Sequence, residues 1–358
     1  MSSSIGILGV GTYLPPEVRT NDWWPEHVVQ RWQERATRRI DRMRSDLANA
    51  PSEAARKTMQ AIIDLAADPF GGTRERRVMP AGMTAAEMET NAAREAIARA
   101  GIVKEEIDLV LSYTMIPDYI NVPTACVVHG NLELEERCTT MAVDAVCNSF
   151  LMQLTLAQGM IASGAARYAL LTQSSAISRL PASGEPIDIA GGDAASALVL
   201  GPVSEGRGIL ASSHHTDGKL WGALVCGVPD QGWYDGRCIA YSVDNAANAN
   251  MIVRLAERAS QVVGEALEKA NLSKDEVAFY ASHQALKWLR PLSQECAGLT
   301  NAKFVDHFEY TGTVSAVNLP LQLAVAEKEG LLRPGEVVAC FQGGTGMTWS
   351  GMALRWGR

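Results

Sequence analysis

No apolar run in the sequence reaches the roughly 18 residues that a membrane-crossing helix needs. The opening MSSSIGILGVGTYLPPE lacks the basic region and longer apolar core of a secretory signal, so the chain reads as cytoplasmic, with no membrane partner. Basic excess is missing too: 32 Lys and Arg stand against 40 Asp and Glu, a net charge of −8. That excludes nucleic acid as a partner, and leaves room only for a local basic patch toward a phosphorylated cofactor or an acidic carrier. The seven cysteines are odd in number, scattered and without C-x-x-C spacing, which argues against a disulfide framework. Cys126, His129 and Cys138 have no fourth ligand, so no metal is expected. GILGVG at 6–11 lacks the third glycine of a dinucleotide loop and runs on into Pro15 and Pro16; it reads as a turn.

What is present is a duplication. AREAIARAGIVKEEIDLVLS (93–112) matches VGEALEKANLSKDEVAFYAS (263–282) at an offset of 170, with Glu95/Glu265, Ala96/Ala266, Ala100/Ala270, Lys104/Lys274 and Glu106/Glu276 in register. Each copy predicts an amphipathic helix, a capping turn and a buried strand. LAQGMIASGAARYALLTQ (156–173) matches LAVAEKEGLLRPGEVVACFQ (323–342) in the same way. Two similar α/β halves follow, 1–200 and 201–358. Strands such as DLVLSY (108–113), YALLTQ (168–173), ASALVLG (195–201) and EVVACF (336–341) are apolar on both faces, which predicts two helix-covered sheets in five layers about a pseudo-twofold axis. Residues 22–70 have no partner in the second half and predict an inserted helical element over a sheet edge or the mouth of a site. Its arginines are a solvated face or a carrier-docking patch.

The chemistry points to Cys147 and His283. AVDAVCNSF puts Cys147 ahead of a repeated helix, where unpaired N–H groups and the helix dipole favour a thiolate. The same offset lands in TGTVSAVNLP (311–320), so two equivalent helix starts should face each other. SHQA puts His283 just beyond a strand, where α/β folds collect active-site groups, as a base or as a donor to an enolate oxygen. His214 and His215 read as structural, and His129 and His307 have no evident partner. In CFQGGTGMTWSGMALRW the bare backbone of Gly343, Gly344 and Gly346 can meet a ligand, unless the loop is simply a tight turn.

These pieces, with GVGTYLPPEVRTN, TRERRV, GGDAASALVL, HTDG, SHQAL and GTVSAVNLP, make the chain resemble the thiolase superfamily, in its 3-oxoacyl-(acyl-carrier-protein) synthase III branch. The resemblance covers nearly the whole length. It implies an α/β, duplicated α-β-α-β-α five-layer fold. Cys147 would be the acylated nucleophile and His283 the catalytic histidine, with an oxyanion hole from the Cys147 N–H and a glycine of 343–346. No tightly bound cofactor is implied. The partners would be acyl-CoA or a phosphopantetheine-linked acyl-carrier protein, a small-molecule acceptor and a second copy in a homodimer.

Three departures matter. The branch's G-N-[TS]-S-[SA] loop carries an Asn that helps His polarise a malonyl thioester; here that position is Thr313. Losing such a donor costs about 10²–10³ in rate, which puts decarboxylation in doubt. Asn318 could substitute only if the loop were rearranged, and otherwise caps or packs. The Trp and Arg that grip coenzyme A are absent from LAADPFGGTRER, and the 22–70 insertion could reshape the entrance. The leading expectation is therefore an acyltransferase of specialised, polyketide-like metabolism: Cys147 takes the acyl group, His283 deprotonates the acceptor and Thr313 orients it. Decarboxylative condensation with malonyl-carrier protein is the alternative enzyme. A non-catalytic subunit of a heterodimer is the alternative of another class. Pocket walls are expected from 116–125 and 229–237.

Overall fold

A computed structural model describes residues 4–182 and 184–358. The elements run β1 (Ile5–Tyr13), β2 (Glu17–Thr20), α1 (Glu26–Asp46), α2 (Glu53–Asp64), β3 (Glu75–Val78), α3 (Ala85–Ala100), β4 (Leu109–Met115), α4 (Thr124–Leu132), β5 (Thr139–Ala142), α5 (Ser149–Ala162), β6 (Ala169–Ser175), α6 (Pro186–Ala190) and β7 (Ala194–Pro202). They continue as β8 (Gly208–Thr216), β9 (Val225–Gly227), β10 (Ile239–Tyr241), α7 (Asn245–Lys269), β11 (Val277–Ser282), α8 (Leu289–Ala297), α9 (Phe308–Thr311), α10 (Asn318–Lys328), β12 (Val337–Gly344) and β13 (Thr348–Arg355).

The first sheet has the order β1-β7-β6-β4-β5 and the second β8-β13-β12-β11, so that β8, β13, β12 and β11 repeat β1, β7, β6 and β4. The pairing repeats as well: β4 with β6 and β11 with β12 are parallel, and the remaining joins of the repeated strands are antiparallel. The apolar stretches of the sequence become β4, β6, β7 and β12, buried along nearly all their length. α5 and α10 lie between the sheets in one core, to which Phe150, Leu151 and Leu154 come from one and Leu319 and Leu323 from the other. α3 and α4 cover the outer face of the first sheet, α7 and α8 that of the second. These are the five layers expected. Among the described residues no helix is long and apolar enough to cross a membrane.

The GILGVG expectation is corrected: those residues lie inside strand β1, paired along its length with β7. Their glycines serve close packing. A Cβ on Gly11 would stand 2.1 Å from the Ala92 carbonyl oxygen and one on Gly9 2.5 Å from that of Ala96, so bare backbone lets α3 seat on the sheet. The insertion forms α1 and α2. Trp24, Trp32 and Phe70 meet edge to face at its base, with ring centroids 4.6 and 6.4 Å apart, and Ile62 packs into the core under α7.

Candidate active site

Cys147 sits in a single 3₁₀ turn, Val146–Asn148, that leads straight into α5. Val146 is held at φ 53°, a left-handed conformation that a β-branched residue resists. The surroundings impose it. Ser149 Oγ accepts from the Ala145 N–H at 2.8 Å and donates to the Val146 carbonyl at 2.7 Å, while Asp144 accepts from the Val146 N–H at 2.8 Å. From the other lobe Gly344 presses on the turn; a Cβ there would lie 2.3 Å from the Ala145 oxygen and 3.1 Å from the Asn148 nitrogen. Asn148 Nδ2 adds a bond to Ser350 Oγ of β13 at 2.9 Å.

Cys147 rests as a thiol. Burial pushes the Cys147 thiol up to about 11, against a bond from Ser315 and its own backbone N–H and with Asp144 adding to the rise. Desolvation of the sulfur thus outweighs the helix terminus, which corrects the expected thiolate. Ser315 Oγ donates to Cys147 Sγ at 3.3 Å, across the join between the lobes.

His283 follows β11, is 3% exposed, and anchors its N–H on the Phe341 carbonyl at 2.8 Å. Its ring is oriented by Asn318. The Asn318 Nδ2 lies 2.8 Å from the Ser315 carbonyl oxygen, while Oδ1 accepts from the Val314 N–H at 3.4 Å. Two oxygens at the first distance would repel, so the amide group is fixed with nitrogen toward Ser315. The same nitrogen is 3.0 Å from His283 Nδ1, which therefore accepts, and Nε2 carries the ring proton. Burial first, and nearby His307 second, pull His283 down to about 3, so the neutral ring persists across ordinary pH. In this tautomer the ring offers a hydrogen-bond donor at Nε2, one of the two roles weighed from the sequence. His307 gains partners the sequence did not reveal, Thr311 Oγ1 at 2.7 Å and the Asn318 carbonyl at 3.3 Å.

Thr313 Oγ1 lies 3.3 Å from the same Asn318 nitrogen, the longest of its three contacts and at most a shared bond, since the two amide protons face Ser315 and His283; the hydroxyl proton of Thr313 is not spent on that contact. Cys147, His283, Thr313, Gly343 and Gly344 line one cavity of about 130 Å³. Gly346, in the β12–β13 turn at φ 109°, is not among its lining residues. The walls are apolar and come from Leu224 and from Met251, Ile252 and Leu255 of α7; segments 116–125 and 229–237 contribute none, a correction. Arg39 of the inserted α1 and Glu185 are among its lining residues, so the insertion reaches the cavity. Sequence reasoning missed Ser315 and Arg39, and left Asn318 as a cap. Ser315 had a signal, its place in G-T-V-S-A one residue from the Cys147 equivalent; Arg39 had none among so many arginines. Among the described residues no cluster of three His, Cys, Asp or Glu could hold a metal. His129 instead bonds the Glu135 carbonyl, and Cys126 the Thr140 hydroxyl.

A half-buried cysteine at one helix start and a buried histidine held by the equivalent start line one cavity of a duplicated α/β fold. The family description for 3-oxoacyl-[acyl-carrier-protein (ACP)] synthase III matches residues 141–218, and that for synthase III C terminal matches residues 267–356. The chain is 31% identical over 297 residues to the beta-ketoacyl-[acyl-carrier-protein] synthase III of Symbiobacterium thermophilum, covering 80% of this chain and 88% of that one. It belongs to the 3-oxoacyl-[acyl-carrier-protein] synthase III family. The Aquifex aeolicus VF5 synthase III structure superposes with a TM-score of 0.77 at 25% identity, over 98% of this chain and 100% of that one. The priming beta-ketosynthase of the R1128 polyketide pathway shares the fold, with a TM-score of 0.79 at 22% identity over 99% and 96% of the two chains.

Proposed function

We propose that the chain loads an acyl group onto Cys147 from an acyl-carrier-protein or CoA thioester and joins it to a second, malonyl-type thioester with loss of carbon dioxide. The family supports the first half; the Asn318–His283 contact carries the second. A ring that keeps its proton on Nε2, beside the free hydroxyl proton of Thr313, supplies two donors to the oxygen of an enolate next to the acylated sulfur. Such a ring cannot take a proton from a hydroxyl or amine acceptor until Asn318 releases it. The doubt raised by Thr313 is thereby reduced, because Asn318 frees a second donor where an Asn is missing.

One observation favours the other reading, acyl transfer to a heteroatom without decarboxylation: the second donor is a short hydroxyl shared with Asn318, a weaker grip on an enolate. Intact mass after mixing with acyl-CoA and acyl-carrier thioesters is expected to show one adduct on Cys147. Adding malonyl thioester should then release carbon dioxide in step with adduct loss. Adduct passing to amines or alcohols with no carbon dioxide would instead establish the second reading, and a Cys147 that never acylates would establish a non-catalytic subunit. A homodimer is part of the proposal: Tyr119, Ile120 and Val122, between β4 and α4, are apolar and exposed, and the mass in solution tests it.

A further inference from the structure

Ser315 is the group of the second helix start that touches the nucleophile, and it does so from φ 54°, a conformation costly to serine. A serine hydroxyl has one proton, and Ser315 gives it to Cys147 Sγ. We propose that Ser315 is a catalytic residue whose hydroxyl, donating to Cys147 Sγ, stabilises the thiolate while it attacks.

The proposal rests on Cys147 being the acyl-carrying nucleophile, and it says how a half-buried thiol can react. Attack forms the bond between Sγ and the acyl carbon and breaks the bond from that carbon to the donor's sulfur; the proton lost by Cys147 leaves on the departing thiol. As that proton moves to the departing sulfur, negative charge builds on Sγ in an apolar cavity, where a hydroxyl aimed at it is worth most. The other groups facing Sγ oppose it or are neutral: Asp144 before the turn, Cys226 of β9 and the uncharged His283.

The test needs no acyl substrate, so its failure is separable from failure of the condensing reading. Ser315→Gly removes the hydroxyl while its φ suits glycine, so melting should hold or rise. Alkylation of Cys147 by iodoacetamide, read on its own peptide so that exposed Cys126 and Cys226 do not count, should fall about 10- to 100-fold at pH 8. The pH at which the rate levels off should move up. Ser315→Ala, which keeps the Cβ and removes only the hydroxyl, should give the same loss. If one variant lowers melting, the other decides. Wild-type rates and an unmoved pH profile in both variants would overturn the proposal.

Discussion

The two helix starts that meet at the cavity share one backbone and carry different chemistry. Ala145 and Val314 precede the turns at φ/ψ −136°/30° and −118°/34°, and Val146 and Ser315 take φ 53° and 54°. Ser149 bonds the Ala145 N–H and the Val146 carbonyl; Asn318, its equivalent, bonds the Val314 N–H and the Ser315 carbonyl. The device that braces the turn is thus duplicated, and what differs is the surplus. Ser149 spends its hydroxyl on the turn, whereas the amide of Asn318 has a further reach to His283 and Thr313. One copy presents the sulfur, and the other organises the donors around it.

Replacing Asn318 by Ser should make the second start like the first. The turn keeps its brace but His283 loses the contact that fixes its tautomer, so Cys147 still acylates while the second half-reaction slows about 10²–10³-fold, near 3–4 kcal/mol. Single-turnover kinetics separate the two steps. Equal slowing of both would mean that Asn318 serves only the turn. Gly344→Ala attacks the first start instead. Its Cβ would meet backbone 2.3 Å away, which no rotamer relieves, so about 1–3 kcal/mol of stability should be lost together with slower Cys147 acylation. Chemical denaturation with the mass assay checks both.

The duplication was legible because helix, cap and buried strand each leave a pattern, and it led from Cys147 to the loop holding Ser315. The donor cluster was less so. Asn318 sits where a capping residue is ordinary, and only the third contact of its amide, 35 residues away in sequence at His283, gives it a further role. GILGVG misled because glycine marks both turns and close packing, and nothing local separates them; the deciding atoms lie on α3. The cavity walls came from α7, whose inward residues read in sequence as an ordinary apolar stripe.

The starts also differ in the histidines they hold. Asn148 reaches half-buried His214 through Ser350, while Asn318 contacts both His283 and His307, the latter pulled down to about 4 chiefly by burial. Above the ordinary histidine range neither state of the chain is protonated, so stability is flat. As pH falls from about 6.5 toward 4, the unfolded chain binds protons that these two rings refuse, and each should cost about 1.4 kcal/mol per pH unit. Denaturant midpoints from pH 7 to 4.5 measure the slope. His307→Gln should reduce it by about the share of one histidine, and an unchanged slope would mean that other groups dominate acid unfolding.

The smallest effect isolates the strain of the first start. Val146 has no hydrogen-bonding side chain, so Val146→Gly removes only a Cβ from a left-handed residue. Relief of that conformation, about 1–3 kcal/mol, is set against the extra freedom glycine has when unfolded, about 0.5–1 kcal/mol, and a methyl pair lost from a half-buried site. A gain near 1 kcal/mol is expected, with Cys147 acylation slowed a few-fold as the turn loosens. Should the gain appear without slower acylation, the strain would be incidental to presenting the sulfur. A loss of stability would mean that Val146 packs more than it strains, and the likeness of the two turns would then lie in geometry without a shared energetic cost.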